Sequence, residues 1–425
     1  MQNILVLIVF LIIVLGLIFL IQFYIYRSYR RWVKKAILPD HQKTWKNCGN
    51  IVIIFGNILF IINSFALRSQ IFKVSFITSL LSYLGGLFFS SILLAFIILL
   101  LKDLTVFILF LVNYSIKFVK GYFRQGLSGS ENVHDSSRRI FLKYCGVTTM
   151  LAASSGPVFS LFKTTNDYEI LKKSLSFHNF PRGMNGLTIA HISDIHSGVY
   201  MKEREMAEIF HTVNSLRPDM IVITGDFVDR NTIDIKTLSK VLQTLESDIG
   251  VFGCLGNHDH YAGSEKINNM LESSDIIMLN NNSKTLLISD EPMSIIGVDY
   301  SGTSMHRGDY ADLNKAMETV NRETFKILLS HNPEFFSEAK KADIDLTLAG
   351  HTHGGQIGFE LAGININPAY AAFKYPKGLY IEDNKLLYVN VGVGTFGLPI
   401  RTIKPEITLF TLSNRNQRST DGQAV

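Results

Sequence analysis

Five short turns of the sequence gather side chains that can bind metal ions or transfer protons. Each turn follows a short apolar run and contains Asp, Asn or His beside a glycine or a serine. The five turns are Ser193–Asp194–Ile195–His196, Gly225–Asp226–Phe227–Val228–Asp229, Gly256–Asn257–His258–Asp259, Ser330–His331–Asn332–Pro333 and Gly350–His351–Thr352–His353. Five of the twelve histidines of the chain fall in these turns, and chance explains such clustering poorly.

The donor types point to divalent cations. Imidazole, carboxylate and amide oxygen without cysteine suit manganese, iron or zinc. Seven candidate ligands are too many for one ion and fit two ions about 3.5 to 4 Å apart, as in hydrolases that bind both the attacking and the leaving oxygen.

The glycines of these turns indicate a backbone that bends sharply beside the ions. Glycine offers a positive φ angle and the absence of a Cβ atom at such a place. We expect these properties at Gly225, Gly256, Gly350, Gly354 and Gly355.

Short apolar runs rich in β-branched residues precede the turns and predict strands. Amphipathic stretches with helical periodicity, Glu203–Leu216 and Ile235–Glu246, lie between the early runs. Alternating strands and helices indicate an α/β architecture, in which the carboxyl ends of the strands bring the turns together. The predicted strands are Leu187–Ile192, Met220–Ile223, Val251–Leu255, Met293–Val298, Phe325–Leu329, Leu346–Ala349, Leu386–Val391 and Ile407–Leu412.

The first 165 residues differ in composition from the rest. Apolar runs at Ile4–Tyr26, Ile51–Leu67 and Ser75–Leu101 are long enough, or nearly so, to cross a hydrocarbon core about 30 Å thick. The first run is too long for a signal peptide, so we interpret it as a retained helix. We expect Leu104–Val119 to form an interfacial or partly re-entrant helix, because a crossing there conflicts with the charge distribution.

The formal net charge of +5 is informative through its location. The connection after the first apolar run is strongly basic and contains Arg27, Arg30, Arg31, Lys34, Lys35, Lys43 and Lys46. The positive-inside rule places this connection in the cytoplasm. A second basic cluster precedes the apolar stretch Cys145–Phe162, which on this interpretation crosses outward and leaves the remaining chain extracytoplasmic.

The segment Ser137–Lys143, with Arg138 and Arg139 adjacent, resembles the twin-arginine export signal of bacteria. Because the motif is internal, a basic flank that orients the next helix is an equal alternative. We predict a multi-span region over 1–120, a basic linker with a further span over 121–165, a globular domain over 166–415 and a polar tail over 416–425. The three cysteines support neither a disulfide framework nor a zinc site.

The five turns, in this order, resemble the signature of calcineurin-like metallophosphoesterases: Asp-x-His, Gly-Asp-x-x-Asp, Gly-Asn-His-Asp, a lone His and Gly-His-x-His. The match covers Gly186 to about Leu412. The form GHTHGGQ, the sequence Gly-Leu-Pro-Ile-Arg at 397–401 and the multi-span region resemble the bacterial transmembrane subgroup in particular. The resemblance implies two mixed β-sheets packed face to face, with helices outside and an all-helical transmembrane region before them.

The resemblance also implies how the ligands divide between two divalent ions, for which manganese is expected and iron or zinc are alternatives. One ion is assigned to Asp194, His196 and His353, and the other to Asn257, His331 and His351. Asp226 is assigned to both ions as a bridge.

Several residues near the ligands are candidates for other roles. We predict that His258 protonates the leaving group or stabilises the transition state, and that Asp259 orients its imidazole; a structural acid is the alternative for Asp259. Arg401 is predicted to pair with a substrate phosphate, with a surface ion pair as the alternative. Asp229 either supports the bridging region or closes a turn, and His260 and Tyr261 are candidates for the mouth of the site.

These features predict a membrane-anchored hydrolase of phosphomonoester, phosphodiester or pyrophosphate bonds that uses metal-activated hydroxide. Anchoring favours a lipid-linked substrate, because confinement raises its effective concentration. Related family members include UDP-diacylglucosamine pyrophosphatases, whose cytoplasmic substrate conflicts with the predicted topology. A non-catalytic receptor or scaffold is the alternative; we expect no nucleic-acid partner, and the oligomeric state stays open. A transporter is disfavoured, because hardly any charge lies deep in the apolar runs.

Overall fold

The computed structural model describes residues 2–66, 76–123, 167–229, 235–302, 310–361, 364–367, 369–395, 397 and 401–415. Contacts divide the chain into a helical unit and a second unit that holds the residues from 167 onward. The predictions for Ser137–Lys143, for the span Cys145–Phe162 and for the tail 416–425 lie outside the described residues.

The helical unit contains three long helices: α1 (Gln2–Ala36), α2 (Pro39–Ala66) and α3 (Phe76–Phe123). Leu104–Val119, for which we predicted an interfacial or partly re-entrant helix, is continuous with the rest of α3. Its position relative to a membrane stays a prediction. The adjacent charged residues Lys102 and Asp103 lie inside this helix. Lys102 Nζ lies 2.9 Å from Asp103 Oδ1, and the Tyr24 hydroxyl donates to Asp103 Oδ2 at 2.6 Å.

Two stretches of the described helices are long and apolar enough to cross a membrane. They are Pro39–Ile61, with a mean hydropathy of 1.2, and Tyr83–Val112, with a mean hydropathy of 2.7. The amides of Gln22 and Asn57 bond reciprocally at 2.8 and 3.0 Å, so α1 and α2 satisfy these polar groups mutually. The number of true spans and their orientation stay predictions.

The second unit is built on two six-stranded sheets. The first has the order β1-β14-β2-β3-β4-β5, and the second has the order β12-β13-β9-β8-β7-β6. Both are mixed, because β14 runs antiparallel to β2, while the β6–β7 and β12–β13 pairs are antiparallel in a sheet whose other pairs are parallel. The first sheet contains β1 (Glu169–Phe177), β2 (Thr188–Ile192), β3 (Met220–Thr224), β4 (Gly250–Cys254), β5 (Ile276–Met278) and β14 (Glu406–Asn414). The second contains β6 (Asn282–Ile288), β7 (Glu291–Gly297), β8 (Phe325–Leu329), β9 (Leu346–Ala349), β12 (Gly378–Glu382) and β13 (Lys385–Val389).

The two sheets pack face to face around a common core. Ile189 and Val222 of the first sheet and Ile327 and Leu348 of the second belong to one cluster of fully buried side chains. Helices cover the outer face of each sheet. The helices of this unit are α4 (Glu203–Ser215), α5 (Ile235–Leu242), α6 (Asn257–Ala262), α7 (Ser264–Glu272), α8 (Leu313–Met317), α9 (Phe336–Lys341) and α10 (Ala369–Ala372), and a hairpin, β10 (Phe359–Leu361) and β11 (Ile364–Ile366), completes the unit. The predicted sandwich of two mixed sheets flanked by helices is confirmed.

The topology explains why the five turns can meet. Strands β2, β3 and β4 are parallel neighbours in the first sheet, and β8 and β9 are parallel neighbours in the second. The carboxyl ends of parallel neighbours lie at the same edge of a sheet. Each of these five strands is followed by one of the predicted turns, so the turns are delivered from both layers of the sandwich.

Candidate metal centre

The first group of donors comprises Asp194, His196 and His353, all buried. The Nε2 atoms of His196 and His353 are 3.0 Å apart, and Asp194 Oδ1 lies 3.3 Å from His353 Nε2. These residues follow β2 and β9, so the two sheets contribute jointly to the group. The structure therefore brings together the residues that were assigned to one ion.

The second group comprises Asp226, Asn257, His331 and His351. His331 Nε2 lies 3.1 Å from Asn257 Oδ1, 3.1 Å from His351 Nδ1 and 3.3 Å from Asp226 Oδ2. These are the residues that were assigned to the other ion, together with the predicted bridge. Their ligand roles stay a proposal that this proximity supports.

One carboxylate oxygen faces both groups. Asp226 Oδ2 lies 3.6 Å from His196 Nε2 and 3.3 Å from His331 Nε2. The other oxygen, Oδ1, accepts a hydrogen bond from the backbone N–H of His258 at 2.8 Å. This bond fixes the carboxylate with Oδ2 directed at the space between the groups.

The donor set fits divalent cations. Asp194 Oδ2 accepts hydrogen bonds from the Ser193 hydroxyl at 2.6 Å and the His351 N–H at 3.0 Å, whereas buried Oδ1 has no hydrogen-bond partner among the described residues. A buried carboxylate oxygen without a donor is costly unless a cation compensates it. Because Oδ1 faces the imidazoles of the first group, a cation held there would satisfy it.

The electrostatics keep the carboxylates ready to bind cations. Burial opposes ionisation of Asp194 and Asp226, but the neighbouring imidazoles outweigh it and hold both pKa values below the usual range. Burial lowers the pKa of His353 to about 4, although the charge of Asp194 opposes this decrease. Burial also disfavours the charged form of His331, but Asp226 outweighs it and raises the pKa of His331 to about 9.

The ligand turns contain unusual backbone conformations. Five of the seven candidate ligands have a positive φ: Asp194 (51°), His196 (48°), Asp226 (52°), His351 (74°) and His353 (51°). Residues other than glycine rarely adopt this region, and its cost is tolerated where the surrounding structure enforces it, commonly at functional sites. The sequence offered no sign of this conformation, because we expected the glycines to absorb the turns.

Three glycines show what these turns require. Gly225 has a φ of 80°, as predicted, and a Cβ atom there would lie 2.6 Å from His331 Nδ1. The expectation of a positive φ is wrong for Gly350 and Gly256. Space is what they provide, because a Cβ atom on Gly350 would overlap Ser193 Oγ and Asp194 Oδ2.

His258 lies beside the metal centre and is oriented by a carboxylate other than the predicted one. Its ring centroid is 4.6 Å from that of His196, and its Nδ1 lies 3.1 Å from Asp229 Oδ1. Asp259 instead accepts hydrogen bonds from the N–H groups of Gly256 at 2.9 Å and Val228 at 3.2 Å. The prediction that Asp259 orients His258 is therefore wrong, and its place in the first turn of α6 makes it a helix cap.

The surroundings of Asp259 also shift the pKa of its carboxyl group. Burial and the nearby charge of Asp226 raise its pKa to about 7. Backbone N–H groups stabilise the ionised form and oppose this increase.

Arg401 is buried and faces backbone carbonyl groups. Its Nε donates to Ile403 O at 2.8 Å, and its Nη2 donates to Val391 O at 2.6 Å and Gly392 O at 2.8 Å, while Nη1 donates to Gly394 O. The alternative of a surface ion pair is wrong, because the side chain is buried. These contacts indicate that Arg401 holds the loop after β13, and its substrate-binding role stays a prediction.

Comparison with known proteins agrees with this geometry. A sequence profile of calcineurin-like phosphoesterases matches residues 187–355. The uncharacterized metallophosphoesterase YkuE of Bacillus subtilis is 30% identical over 298 residues, which are 66% of this chain and 99% of YkuE. The chain belongs to the calcineurin-like phosphoesterase family.

Other members of the family extend the comparison to the membrane region. A Danio rerio protein named as a transmembrane protein with a metallophosphoesterase domain is 29% identical over 296 residues, which are 67% of this chain and 65% of that protein. Together with the two apolar stretches, this relative indicates membrane association. The bacterial, twin-arginine subgroup stays a prediction.

The likeness to solved structures is weaker. The NAD nucleotidase of Haemophilus influenzae aligns with 17% identity and a TM-score of 0.35, over 49% of this chain and 45% of the nucleotidase. At this level the likeness carries no argument about activity.

Proposed function

We propose that the second unit hydrolyses phosphoric ester bonds with the help of two divalent cations, Mn²⁺ being preferred and iron or Zn²⁺ being alternatives. The position of Asp226 carries the proposal, since its Oδ2 lies within 3.6 Å of imidazole nitrogens of both ligand groups. A carboxylate in this position suits two cations that share one site. When bound, the cations would supply a water nucleophile at neutral pH and neutralise the charge of the phosphoryl oxygens.

The side chains of this protein have separate tasks in the proposed reaction. Asp194 and Asp226 are ionised and hold the ligand groups in place. As the water oxygen bonds to phosphorus and the bond to the leaving oxygen breaks, His258 donates a proton to that oxygen. Asp229, at 3.1 Å, keeps the imidazole oriented and stabilises its charged form.

We propose a membrane-embedded or lipid-linked substrate for this site. The two apolar stretches and the relative named as a transmembrane protein support it. An extracytoplasmic domain would act on a phospholipid or another lipid phosphoester, whereas a cytoplasmic domain would suit a UDP-diacylglucosamine-type pyrophosphate. The side of the membrane therefore selects the substrate class.

Hydrolysis can be tested with the full chain in detergent. After treatment with a chelator and addition of manganese, we expect turnover of bis-p-nitrophenyl phosphate. Asp226→Ala should abolish turnover, because it removes the shared oxygen. Asp248→Ala, which removes an exposed carboxylate of the same type, is the matched control and should retain full activity. No turnover at any manganese concentration would support a non-catalytic scaffold instead, and turnover that needs no metal would contradict the role of the two cations.

The side of the membrane can be tested with fusions at the carboxyl terminus. Our proposal predicts an active alkaline phosphatase fusion and a dark cytoplasmic fluorescent reporter. An inactive alkaline phosphatase fusion with a fluorescent reporter would place the domain in the cytoplasm. A cytoplasmic pyrophosphate would then be the expected substrate.

A further inference from the structure

A second group of side chains lies beside the metal centre and has no task in the hydrolysis described above. It consists of His260, Asp299 and Tyr310, which we call the His260 cluster. His260 Nε2 lies 2.7 Å from Asp299 Oδ1, and the rings of His260 and Tyr310 stack with centroids 4.2 Å apart and planes inclined by 5°. Tyr310 is nevertheless 50% exposed, so part of its ring is accessible to a ligand.

The His260 cluster is held rigidly by the backbone around it. Asp299 Oδ1 also accepts the N–H of Tyr300 at 2.7 Å, and the N–H of Tyr310 donates to Tyr300 O at 2.9 Å. The side chain of Asn281 accepts the N–H groups of Asp299 at 3.0 Å and Asp312 at 2.8 Å, and donates to Tyr310 O at 2.7 Å. One amide thus fixes both ends of the segment that joins Tyr300 to Tyr310.

The position of the cluster relative to the ligands follows from helix α6. Asn257 and His260 are three residues apart, so they lie on the same face, roughly 5–6 Å from each other. The ring of Tyr300 lies near both the cluster and the second ligand group. Its centroid is 6.4 Å from that of His260 and 6.1 Å from those of His331 and His351. The His260 cluster therefore borders the second ligand group.

His258 serves the opposite side of α6. Its imidazole contacts Asp229 and lies next to His196 of the first ligand group. If His258 protonates the leaving oxygen, the leaving group occupies that side. The side of His260 is then available to the part of the substrate that stays on phosphorus.

We propose that the His260 cluster is a subsite for the retained ester substituent of a phosphodiester, and that this substituent carries a flat ring. The inference rests on the proposed hydrolysis and names its substrate class. The stacked rings of His260 and Tyr310 form an aromatic wall that a planar ring packs against, at a distance of several ångströms from phosphorus. Asp299 is a positioning residue, because it acts through the imidazole of His260.

Two substrates in which the same bond is broken separate binding at the subsite from the chemical step. Thymidine 5′-(p-nitrophenyl phosphate) and methyl p-nitrophenyl phosphate both release p-nitrophenolate, but they retain a nucleoside and a methyl group. In the manganese-loaded full chain, Tyr310→Leu and His260→Leu should raise the KM of the nucleoside ester about 5- to 10-fold, with kcat nearly unchanged. Neither variant should change the KM of the methyl ester.

Conservative variants and a control separate stacking from folding. Tyr310→Phe keeps the wall and the bond between His260 and Asp299, and it should keep the low KM for the nucleoside ester. Asp299→Asn should raise that KM selectively, because the imidazole loses its fixed orientation. His211→Ala, at an exposed position of α4, should change neither substrate.

The outcomes are distinguishable from those that test hydrolysis itself. Equal losses on both esters, or no loss on either, would overturn the subsite while wild-type turnover still supports the phosphoesterase. A wild-type protein that cleaves neither ester with manganese would overturn both proposals.

Discussion

At the scale of single residues, the contacts of His258 show which carboxylate can take part in catalysis. Asp259 is its neighbour in sequence, but Asp229 is its partner in space, at 3.1 Å. A carboxylate in this position fixes the imidazole orientation and favours its charged form. We therefore assign the orientation of the His258 imidazole to Asp229 rather than to Asp259.

We predict that Asp229→Asn and His258→Gln each lower kcat about 100-fold, since positioned proton transfer has an effect of this size. The double variant should be no slower than either single variant, because the two residues act as one unit. Steady-state kinetics with bis-p-nitrophenyl phosphate at saturating manganese measures this.

The control for that prediction is Asp259→Asn. It should lower the melting temperature, because the asparagine can accept only one of the two bonds from the N–H groups of Gly256 and Val228, and it should not reproduce the pattern of Asp229→Asn. Multiplicative losses in the Asp229 and His258 double variant would contradict the pairing.

Residue types revealed the candidate ligands, but not their geometry. Asp, Asn and His after buried strands could be identified because few other reasons place them there. The partner of His258 could not be identified from the sequence. The carboxylate next to it in sequence, Asp259, caps α6 and is therefore directed away from the imidazole. The positive φ values of Asp194 and Asp226 were equally hidden, since nothing in those residue types requires them.

At the scale of elements, the loop after β13 supports the turn that carries Asp194. The N–H groups of Val393 and Gly394 donate to Ser193 O at 3.0 Å and Asp194 O at 2.8 Å. Arg401 donates hydrogen bonds to the carbonyl groups of Val391, Gly392 and Gly394 in the same loop. The loop thus connects a buried guanidinium to a ligand turn of the other sheet.

We predict that Arg401→Lys weakens manganese binding about 10-fold and lowers the melting temperature, because an ammonium cannot reproduce the planar fork. At saturating manganese the KM should stay near the wild-type value. Metal titration followed by kinetics separates these effects. A raised KM with unchanged manganese affinity would instead restore the substrate-binding role of Arg401.

The strands that sequence patterns identified are the central ones. Strands β3, β8 and β9 are buried along their whole length, and therefore appear as continuous apolar runs. The edge strands β1 and β6 were missed because most of their residues are exposed or partly exposed, and lysines and serines interrupt their apolar residues. Edge strands with such composition also resist pairing with other chains.

At the scale of the whole molecule, pH changes stability through the metal centre. In the metal-free protein the pKa of His331 is about 9, above the usual 6.5, because the charge of Asp226 outweighs the effect of burial. A raised pKa means that the folded state binds the proton more tightly than the unfolded state. The stabilisation is complete below about pH 6.5 and is lost as the pH rises through about 9.

We predict that the melting temperature of the chelator-treated full chain falls between pH 6.5 and 9. Metal ligation requires a neutral imidazole, so manganese binding should strengthen over the same interval. The melting temperature rise caused by manganese should therefore be larger at pH 8.5 than at pH 6.5. His331→Gln should flatten the pH dependence of the metal-free protein, and an unchanged slope in that variant would contradict the assignment.

The hydrogen bonds of the Asn281 side chain have a consequence for how proteins with this fold diversify. One amide side chain binds the backbone at Asp299, Tyr310 and Asp312, whereas the candidate metal ligands lie on other turns. Changes in the segment between Tyr300 and Tyr310 can therefore accumulate in evolution without rebuilding the coordination shell. Substrate preference and hydrolytic chemistry become traits that selection can alter separately.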